Sequence, residues 1–250
     1  MKNVIYPDPT RNHKYFYWKA TYDFMISFLN KNPELKVGCE VGTCAGQNIK
    51  HIIENCPNIK KMYGVDSYSK DNWDLEDFVS VEKEFGGFDS LYNEVKTMLS
   101  QFGNKVELIR KPSKFAALDF DDESLDFVFI DAGHEFDDCY NDIVSWYPKV
   151  KSNGLIMGHD FYNSACMGVS KAVLKFFSVD NIDTYLEPVH IYICKKKGRN
   201  ISLINKVKNR FSFYKKHPKL FLNYYEIINL INKIKFFLKR KLLSFFLFKN

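Results

Sequence analysis

Four segments of this 250-residue chain place carboxylate or imidazole side chains directly after short apolar runs. Such runs are typical of buried strands, so the polar side chains that follow them are expected at strand ends. Carboxylates and imidazoles can hold cations, coordinate metals or accept a proton from a hydroxyl. The four segments are residues 40–46, 63–68, 125–135 and 154–161.

The first segment reads Glu-Val-Gly-Thr-Cys-Ala-Gly and opens a stretch of helical period. Gly42 permits a tight turn that a ligand can approach closely, and Gly46 lets the following helix pack near the strand. The spacing lacks the G-x-G-x-x-G pattern of dinucleotide sites and the lysine of a phosphate-binding loop. Glu40 would repel a phosphate and can hold an ammonium group, which favours a cationic ligand. The alternative is a carboxylate that only caps local amides.

The second segment ends an apolar run at Asp66, about twenty residues after the glycine turn, where nucleotide-binding α/β folds recognise ribose. An acidic side chain at this position accepts hydrogen bonds from the ribose hydroxyls. Asp66 therefore predicts nucleoside binding without identifying the nucleoside.

The third and fourth segments each end in two polar groups, Asp131 with His134 and His159 with Asp160. Because the carboxyl ends of parallel strands share one edge of a sheet, these four side chains are expected to converge beside the nucleoside site. The alternatives are that His134 only caps the helix beginning near Glu135, and that His159 is a hydrogen-bonded structural residue.

The elements around these segments alternate between apolar runs and helical periods, as in parallel βαβ units. This alternation predicts an α/β, Rossmann-like fold with a mostly parallel twisted sheet flanked by helices. The Asn153-Gly154 pair predicts a turn before the fifth strand. Strands are predicted at residues 36–41, 61–66, 105–109, 126–131, 154–159 and 189–194, and helices at 46–55, 88–102, 135–147 and 167–177.

Three parts of the chain differ in pattern. An apolar helical face at residues 14–30 predicts an N-terminal segment, residues 1–34, that packs on the domain edge or, as the alternative, covers the ligand cleft. Residues 35–197 form the predicted catalytic domain. Residues 198–250 form a basic, amphipathic helical extension.

Charge is divided unevenly along the chain. Residues 1–194 contain 20 Lys/Arg against 29 Asp/Glu, and residues 195–250 contain 16 against 1. Charges interrupt every apolar stretch of the tail, so a membrane-spanning helix is not expected. Docking on the acidic body or on another subunit is the first expectation for this extension, an anionic membrane surface the second and nucleic acid the third. Six cysteines without a C-x-x-C pair, and the lack of a signal peptide pattern, predict a cytoplasmic protein with reduced thiols.

The ordered set E-V-G-T-C-A-G, G-V-D, F-I-D-A-G-H-E and N-G-L-I-M-G-H-D-F resembles the class I S-adenosylmethionine-dependent methyltransferases, particularly the branch with I-D-x-x-H and G-H-D motifs. Cys44 stands where many relatives have glycine. The resemblance implies that S-adenosylmethionine is the cofactor. Its implied contacts are Glu40, Gly42 and Gly46 at the methionine portion, Asp66 at the ribose and Ser113 at the adenine, with Thr43, Ser67 and Asp131 as further cofactor-binding residues.

The resemblance also implies a divalent metal on Asp131 and Asp160, with His159 as a third candidate ligand. Magnesium would suit the aspartates, whereas a histidine ligand suits a transition metal better. His134 is the expected general base, and Asp131 is the second candidate catalytic residue. The similar enzymes act on hydroxyls of sugars or other small molecules, so a small-molecule or glycan acceptor is expected here.

Two alternatives of other classes remain open at this point. One is a nucleic-acid methyltransferase that uses the basic tail, although no Pro-Pro-Tyr type motif follows the fourth strand. The other is a nucleotide-binding protein of another kind, such as an NAD-type oxidoreductase, which the glycine spacing disfavours.

Overall fold

The computed structural model describes residues 19–70, 75–177, 182–185 and 189–196, and for 75–78 and 80 the backbone alone. The predicted basic extension, residues 198–250, and the beginning of the predicted N-terminal segment lie outside the described residues. Within the described ranges, no helix is both long and apolar enough to cross a membrane.

The described strands form one seven-stranded sheet in the order β3-β2-β1-β4-β5-β7-β6. Strands β1 to β5 are parallel, and β7 runs antiparallel to both β5 and β6. This confirms the predicted mostly parallel α/β fold. The strands are β1 (Val37–Val41), β2 (Lys61–Asp66), β3 (Val106–Arg110), β4 (Leu125–Ile130), β5 (Val150–Gly158), β6 (Ile182–Tyr185) and β7 (Ile191–Lys195).

Seven α-helices accompany this sheet in the described residues. The N-terminal helix begins at Lys19 and buries Tyr22, Met25 and Leu29, three residues of the predicted apolar face. The helices are α1 (Lys19–Lys31), α2 (Gln47–Asn55), α3 (Leu75–Phe85), α4 (Phe88–Ser100), α5 (Ser113–Ala116), α6 (Phe136–Trp146) and α7 (Met167–Phe176), and short 3₁₀ turns lie at Gly103–Lys105, Ala117–Asp119 and Tyr147–Lys149.

Four elements differ from the sequence-based expectation. The sequence analysis predicted no element at α3, at the four-residue α5 or at β6. The expected turn at Asn153-Gly154 lies inside β5, which begins at Val150. Asn153 has a φ of 69°, and the pairing of β4 with β5 shifts register at Leu125/Phe127, so this pair forms an irregularity within the strand.

The register of the central strands brings the four polar segments to one edge. Val41 pairs with both Val65 of β2 and Ile130 of β4, and Ile130 pairs with Gly158 of β5. The residues that follow these partners therefore emerge side by side. This edge includes the point between β1 and β4 where strand order reverses, which is where open α/β sheets bind ligands.

The core beneath this edge is made of apolar side chains from one face of the sheet and from the helices that cover that face. Met25 and Leu29 of α1, Ile49 and Ile52 of α2, and Phe127 of β4 are all fully buried. Burying side chains of this size contributes about 1.5–3 kcal/mol each before entropic costs. The N-terminal helix is thus part of the core that supports the sheet edge.

Candidate active site

The glycine turn, residues 42–46, connects β1 to α2 through left-handed backbone. The φ angles of Gly42, Cys44 and Gly46 are 91°, 46° and 72°. The amides of Gly42 and Thr43 donate to the carbonyl of Val65 at 2.8 and 3.3 Å, which fastens the turn to β2. A side chain at Gly42 would overlap the carbonyl oxygen of Asp131, so glycine is required where the turn approaches the end of β4.

Glu40 lies at the base of this turn and is 2% exposed. Its Oε1 accepts a hydrogen bond of 2.7 Å from the side chain of Asn48, whereas its Oε2 is buried without a hydrogen-bond partner among the described residues. Burial raises the pKa of Glu40 to about 8. The hydrogen bond from Asn48 opposes this increase, and the nearby Asp131 and Asp66 add to it. Three carboxylates close to one another, one with an unmatched oxygen, favour a cationic ligand over an anionic one.

Asp66 ends β2 and holds two loops together. Its Oδ2 accepts from the amide of Cys44 and its Oδ1 from the amide of Tyr68, both at 2.9 Å. The Tyr68 hydroxyl donates to the carbonyl of Cys44 at 2.8 Å and so returns to the glycine turn. Burial raises the pKa of Asp66, although the bonds from the Tyr68 and Cys44 amides oppose this. Sequence reasoning missed Tyr68, because nothing in its spacing indicates that its hydroxyl reaches residue 44.

Asp131, His134, His159 and Asp160, here called the strand-end cluster, converge as the sequence predicted. The Nδ1 of His159 lies 3.1 Å from Oδ2 of Asp160 and 3.5 Å from Oδ1 of Asp131. The Nε2 of His134 lies 3.0 Å from the same Oδ2 of Asp160. Asp160 therefore stands between the two imidazoles, and its left-handed backbone, with a φ of 57°, aims the carboxylate at both.

Within this cluster the carboxylates stabilise a charged imidazole, and the imidazoles stabilise a charged carboxylate. Burial disfavours a charged imidazole, but Asp131 and Asp160 raise the pKa of His159 to about 10. Burial also disfavours the Asp160 carboxylate, but hydrogen bonds from His134 and His159 hold its pKa well below its ordinary value. A positive charge is therefore stabilised between these carboxylates, and a divalent cation could replace the His159 proton.

Thr21 of α1 is a site residue that sequence reasoning missed. Its Oγ1 lies 3.2 Å from Nε2 of His159, in a buried contact between residues 138 positions apart. This contact, with the carboxylates on the other ring nitrogen, fixes the orientation of the imidazole. The predicted apolar face of α1 gave no signal for it, because Thr21 lies beside that face.

Ser113 and Ser67, two predicted cofactor contacts, lie in different surroundings. Ser113 accepts a hydrogen bond of 2.9 Å from the indole of Trp146, and it also bonds to the buried carboxyl of Asp142. Ser67 lines an open cleft of about 580 Å³ to which the side chain of Arg110 also contributes. Both residues follow strands β3 and β2, so they remain at the expected edge of the sheet.

Cys166, which the sequence analysis did not identify as a site residue, adds a thiol to the site. It is partly buried at the start of α7. Its Sγ and the ligand atoms of His134 and Asp160 all lie within 4.8 Å of one another, as do those of Asp131, His159 and Asp160. Burial, together with Asp160 and Asp131, raises the pKa of Cys166 to about 12.

Comparison with known families gives one sequence match. Residues 39–161 match a family model described as a methyltransferase domain, and this span runs from β1 through the strand-end cluster. No curated protein sequence is significantly similar to the chain.

Solved structures share the fold at low sequence identity. A putative caffeoyl-CoA O-methyltransferase from Staphylococcus aureus is 15% identical, with a TM-score of 0.53 over 73% of this chain and 85% of that chain. An SAH-bound methyltransferase from Podospora anserina is 16% identical, with a TM-score of 0.54 over 77% and 83%. A putative O-methyltransferase from Klebsiella pneumoniae is 13% identical, with a TM-score of 0.53 over 78% and 93%.

Proposed function

We propose that this chain, whose residues 39–161 match a methyltransferase domain, is a class I S-adenosylmethionine-dependent methyltransferase that transfers a methyl group to a hydroxyl of a sugar or other small molecule. The observation that carries the proposal is the strand-end cluster beside the glycine turn. It offers an imidazole for the acceptor proton and carboxylates for a cation, which is what activation of a hydroxyl needs.

The residues of the glycine turn fit S-adenosylmethionine. This cofactor supplies a methyl group that the positive charge on sulfur has already activated. The buried Oε2 of Glu40 has no hydrogen-bond partner in the described part of the chain and suits the ammonium of the methionine portion. Asp66 lies 22 residues after Cys44 and accepts a hydrogen bond from its amide. The same carboxylate would also accept hydrogen bonds from the ribose hydroxyls.

His134 is the proposed general base. Half-exposed, it is accessible to an acceptor, and Asp160 orients its ring through Nε2 at 3.0 Å. Transfer forms a bond between the acceptor oxygen and the methyl carbon and breaks the methyl–sulfur bond, while the hydroxyl proton passes to His134. The protein's main contribution is to hold the oxygen in line with the methyl group and to exclude water.

Asp131, His159 and Asp160 fit a divalent cation. Their ligand atoms lie within 4.8 Å of one another, and two of the three ligands are carboxylates. A cation held there would lower the pKa of a bound hydroxyl. Oxygen ligands suit magnesium, and the imidazole nitrogen also admits a transition metal. Thr21 would keep the His159 ring in position.

Methyl transfer from labelled S-adenosylmethionine tests the proposal. The purified protein is incubated with panels of saccharides, sugar nucleotides and phenols, with and without magnesium and EDTA. The expected result is label in an alkali-stable methyl ether. This label should be lost in His134→Asn and retained in His13→Asn, which lies outside the proposed site motifs. Label found only in protein or RNA of a cell extract would overturn the choice of acceptor.

A further inference from the structure

A second group of metal-binding side chains shares Asp160 with the strand-end cluster. The ligand atoms of His134, Asp160 and Cys166 lie within 4.8 Å of one another. Tetrahedral zinc with nitrogen, oxygen and sulfur ligands places its donor atoms roughly 3.3–3.6 Å apart, as the usual bond lengths require. The distance between Nε2 of His134 and Oδ2 of Asp160 is 3.0 Å, so these two ligand atoms are already close to that separation, and the Sγ of Cys166 lies within 4.8 Å of both.

The loop between Asp160 and Cys166 is folded so that the thiol returns to the carboxylate. The side chain of Asn163 donates to Oδ1 of Asp160 at 2.8 Å, which leaves Oδ2 facing the imidazoles. The amide of Asn163 donates to the carbonyl of Asp160 at 3.2 Å, and the amide of Cys166 donates to the carbonyl of Asn163 at 3.0 Å. Asn163 thus orients the carboxylate from outside the ligand set, as supporting residues do in metal sites.

The start of α7 is also held against the segment that carries His134. A side chain at Gly168 would overlap the carbonyl oxygen of His134 and the amide of Phe136. The two backbones therefore pack without intervening side chains. This contact sets the separation of Cys166, two residues before Gly168, from the His134 imidazole.

We propose that His134, Asp160 and Cys166 form a site for a thiophilic divalent cation of the zinc class, which shares only Asp160 with the site on Asp131, His159 and Asp160. One thiol, one imidazole and one carboxylate are a zinc-type donor set, whereas magnesium avoids sulfur. Three protein ligands leave a fourth position open to water. The half-exposed imidazole of His134 gives the ion a route from solvent.

Occupation of this site has a consequence that rests on the function proposed above. The ion would take Nε2 of His134 in place of the contact with Asp160 and leave the ring proton on Nδ1, so the imidazole could not accept a proton from the acceptor. It would also take Oδ2 of Asp160 from the neighbouring cation site. Zinc is therefore expected to oppose methyl transfer, with the thiol of Cys166 setting its affinity.

Cobalt substitution tests the site without any need for a methyl acceptor. The full-length protein, stripped of metal with EDTA and kept reduced, is titrated with Co²⁺ and then with Zn²⁺ against a chromophoric chelator. A thiolate-to-cobalt charge-transfer band in the near ultraviolet is expected in the wild type and in Cys44→Ser, the matched control at the other partly buried cysteine. Cys166→Ser should lose the band and bind Zn²⁺ more than about tenfold more weakly.

Two results would overturn the site. One is a wild-type protein that shows no thiolate band on Co²⁺ addition, and the other is an unchanged band in Cys166→Ser. Circular dichroism of each variant checks that it is folded, and His134→Asn gives a second loss of Zn²⁺ affinity that does not depend on the thiol. A protein that shows the band yet transfers no methyl group would contradict the proposed function and leave this site standing.

Discussion

The glycine turn and the strand-end cluster are adjacent at the sheet edge, yet different contacts hold them. The turn is fixed by backbone: amides of Gly42 and Thr43 bind Val65, and Asp66 binds two further amides. In the cluster, side chains bind side chains, with His159 between Thr21 and two carboxylates. A backbone-held region loses its shape when a main-chain position is changed, whereas a side-chain network can be weakened one contact at a time.

The two regions also differ in which of their polar groups lack a hydrogen-bond or charge partner among the described residues. The turn leaves one buried carboxylate oxygen, on Glu40, and the cluster leaves charges balanced by its own imidazoles. A cation from outside can therefore pair with Glu40 without displacing any group. In the cluster, a cation or an acceptor must first displace a proton or an imidazole from the carboxylates. This difference supports the proposal that the turn binds the cofactor and that the cluster activates the acceptor.

Replacement of a glycine should produce the largest effect, and it tests whether the turn depends on backbone. In Gly42→Ala the new side chain overlaps Asp131 and the residue keeps a φ of 91°, so the free energy of unfolding should fall by at least ~3 kcal/mol. Gly103→Ala is the matched control, because φ is 54° and no heavy atom lies within 4 Å of the added carbon. It should cost only about 1 kcal/mol. Equal losses in urea denaturation would contradict the close approach.

Glu40→Gln separates stability from cofactor binding. Because burial raises the pKa of Glu40 from 4.5 to about 8, the folded protein retains a proton that the unfolded chain releases in this window. The stability contributed by Glu40 therefore decreases as pH rises from about 4.5 to about 8. The variant should be more thermostable than wild type at pH 8 but not at pH 4.5.

The same variant should bind S-adenosylmethionine roughly tenfold or more weakly, since a neutral amide replaces the carboxylate that we propose contacts the ammonium. Wild-type binding should release protons near pH 7, which calorimetry in buffers of different ionisation enthalpy measures. Proton release that persists unchanged in Glu40→Gln would assign the titration to another group.

Thr21→Val tests the side-chain network with the smallest change. The loss of one hydrogen bond to His159 should lower the free energy of unfolding by about 1 kcal/mol. Thr97→Val, on the exposed face of α4, is the matched control and should be near neutral. A pH titration of the His159 ring by NMR would show whether its environment changes, and an unchanged spectrum would mean that α1 does not orient the imidazole.

The same contrast explains which features the sequence could predict. Apolar runs and glycine spacing predict β1, β2 and the turn, because these depend on local pattern and backbone conformation. The convergence of Asp131 and Asp160 followed from the parallel sheet. The contact from Thr21 to His159 could not be predicted, because it joins residues 138 positions apart and depends on the packing of α1.

Three further features were not predicted from the sequence. The strand β6 has only four residues and lacks an apolar run, and β5 continues through Asn153, whose left-handed backbone resembles a turn. Cys166 was not singled out, because its position over Asp160 depends on the fold of the loop through Asn163. Such features follow from three-dimensional packing and carry no spacing signal.

Calorimetric titration with S-adenosylmethionine, and with NAD in parallel, tests the central claim most directly. Wild type and Asp122→Ala, which removes a largely exposed carboxylate outside the cleft that Ser67 lines, should bind S-adenosylmethionine alike and bind no NAD. Asp66→Ala, checked for folding, should lose at least ~10-fold in affinity. Absence of S-adenosylmethionine binding to the wild type, or a preference for NAD, would contradict the assignment of this site to methyl transfer.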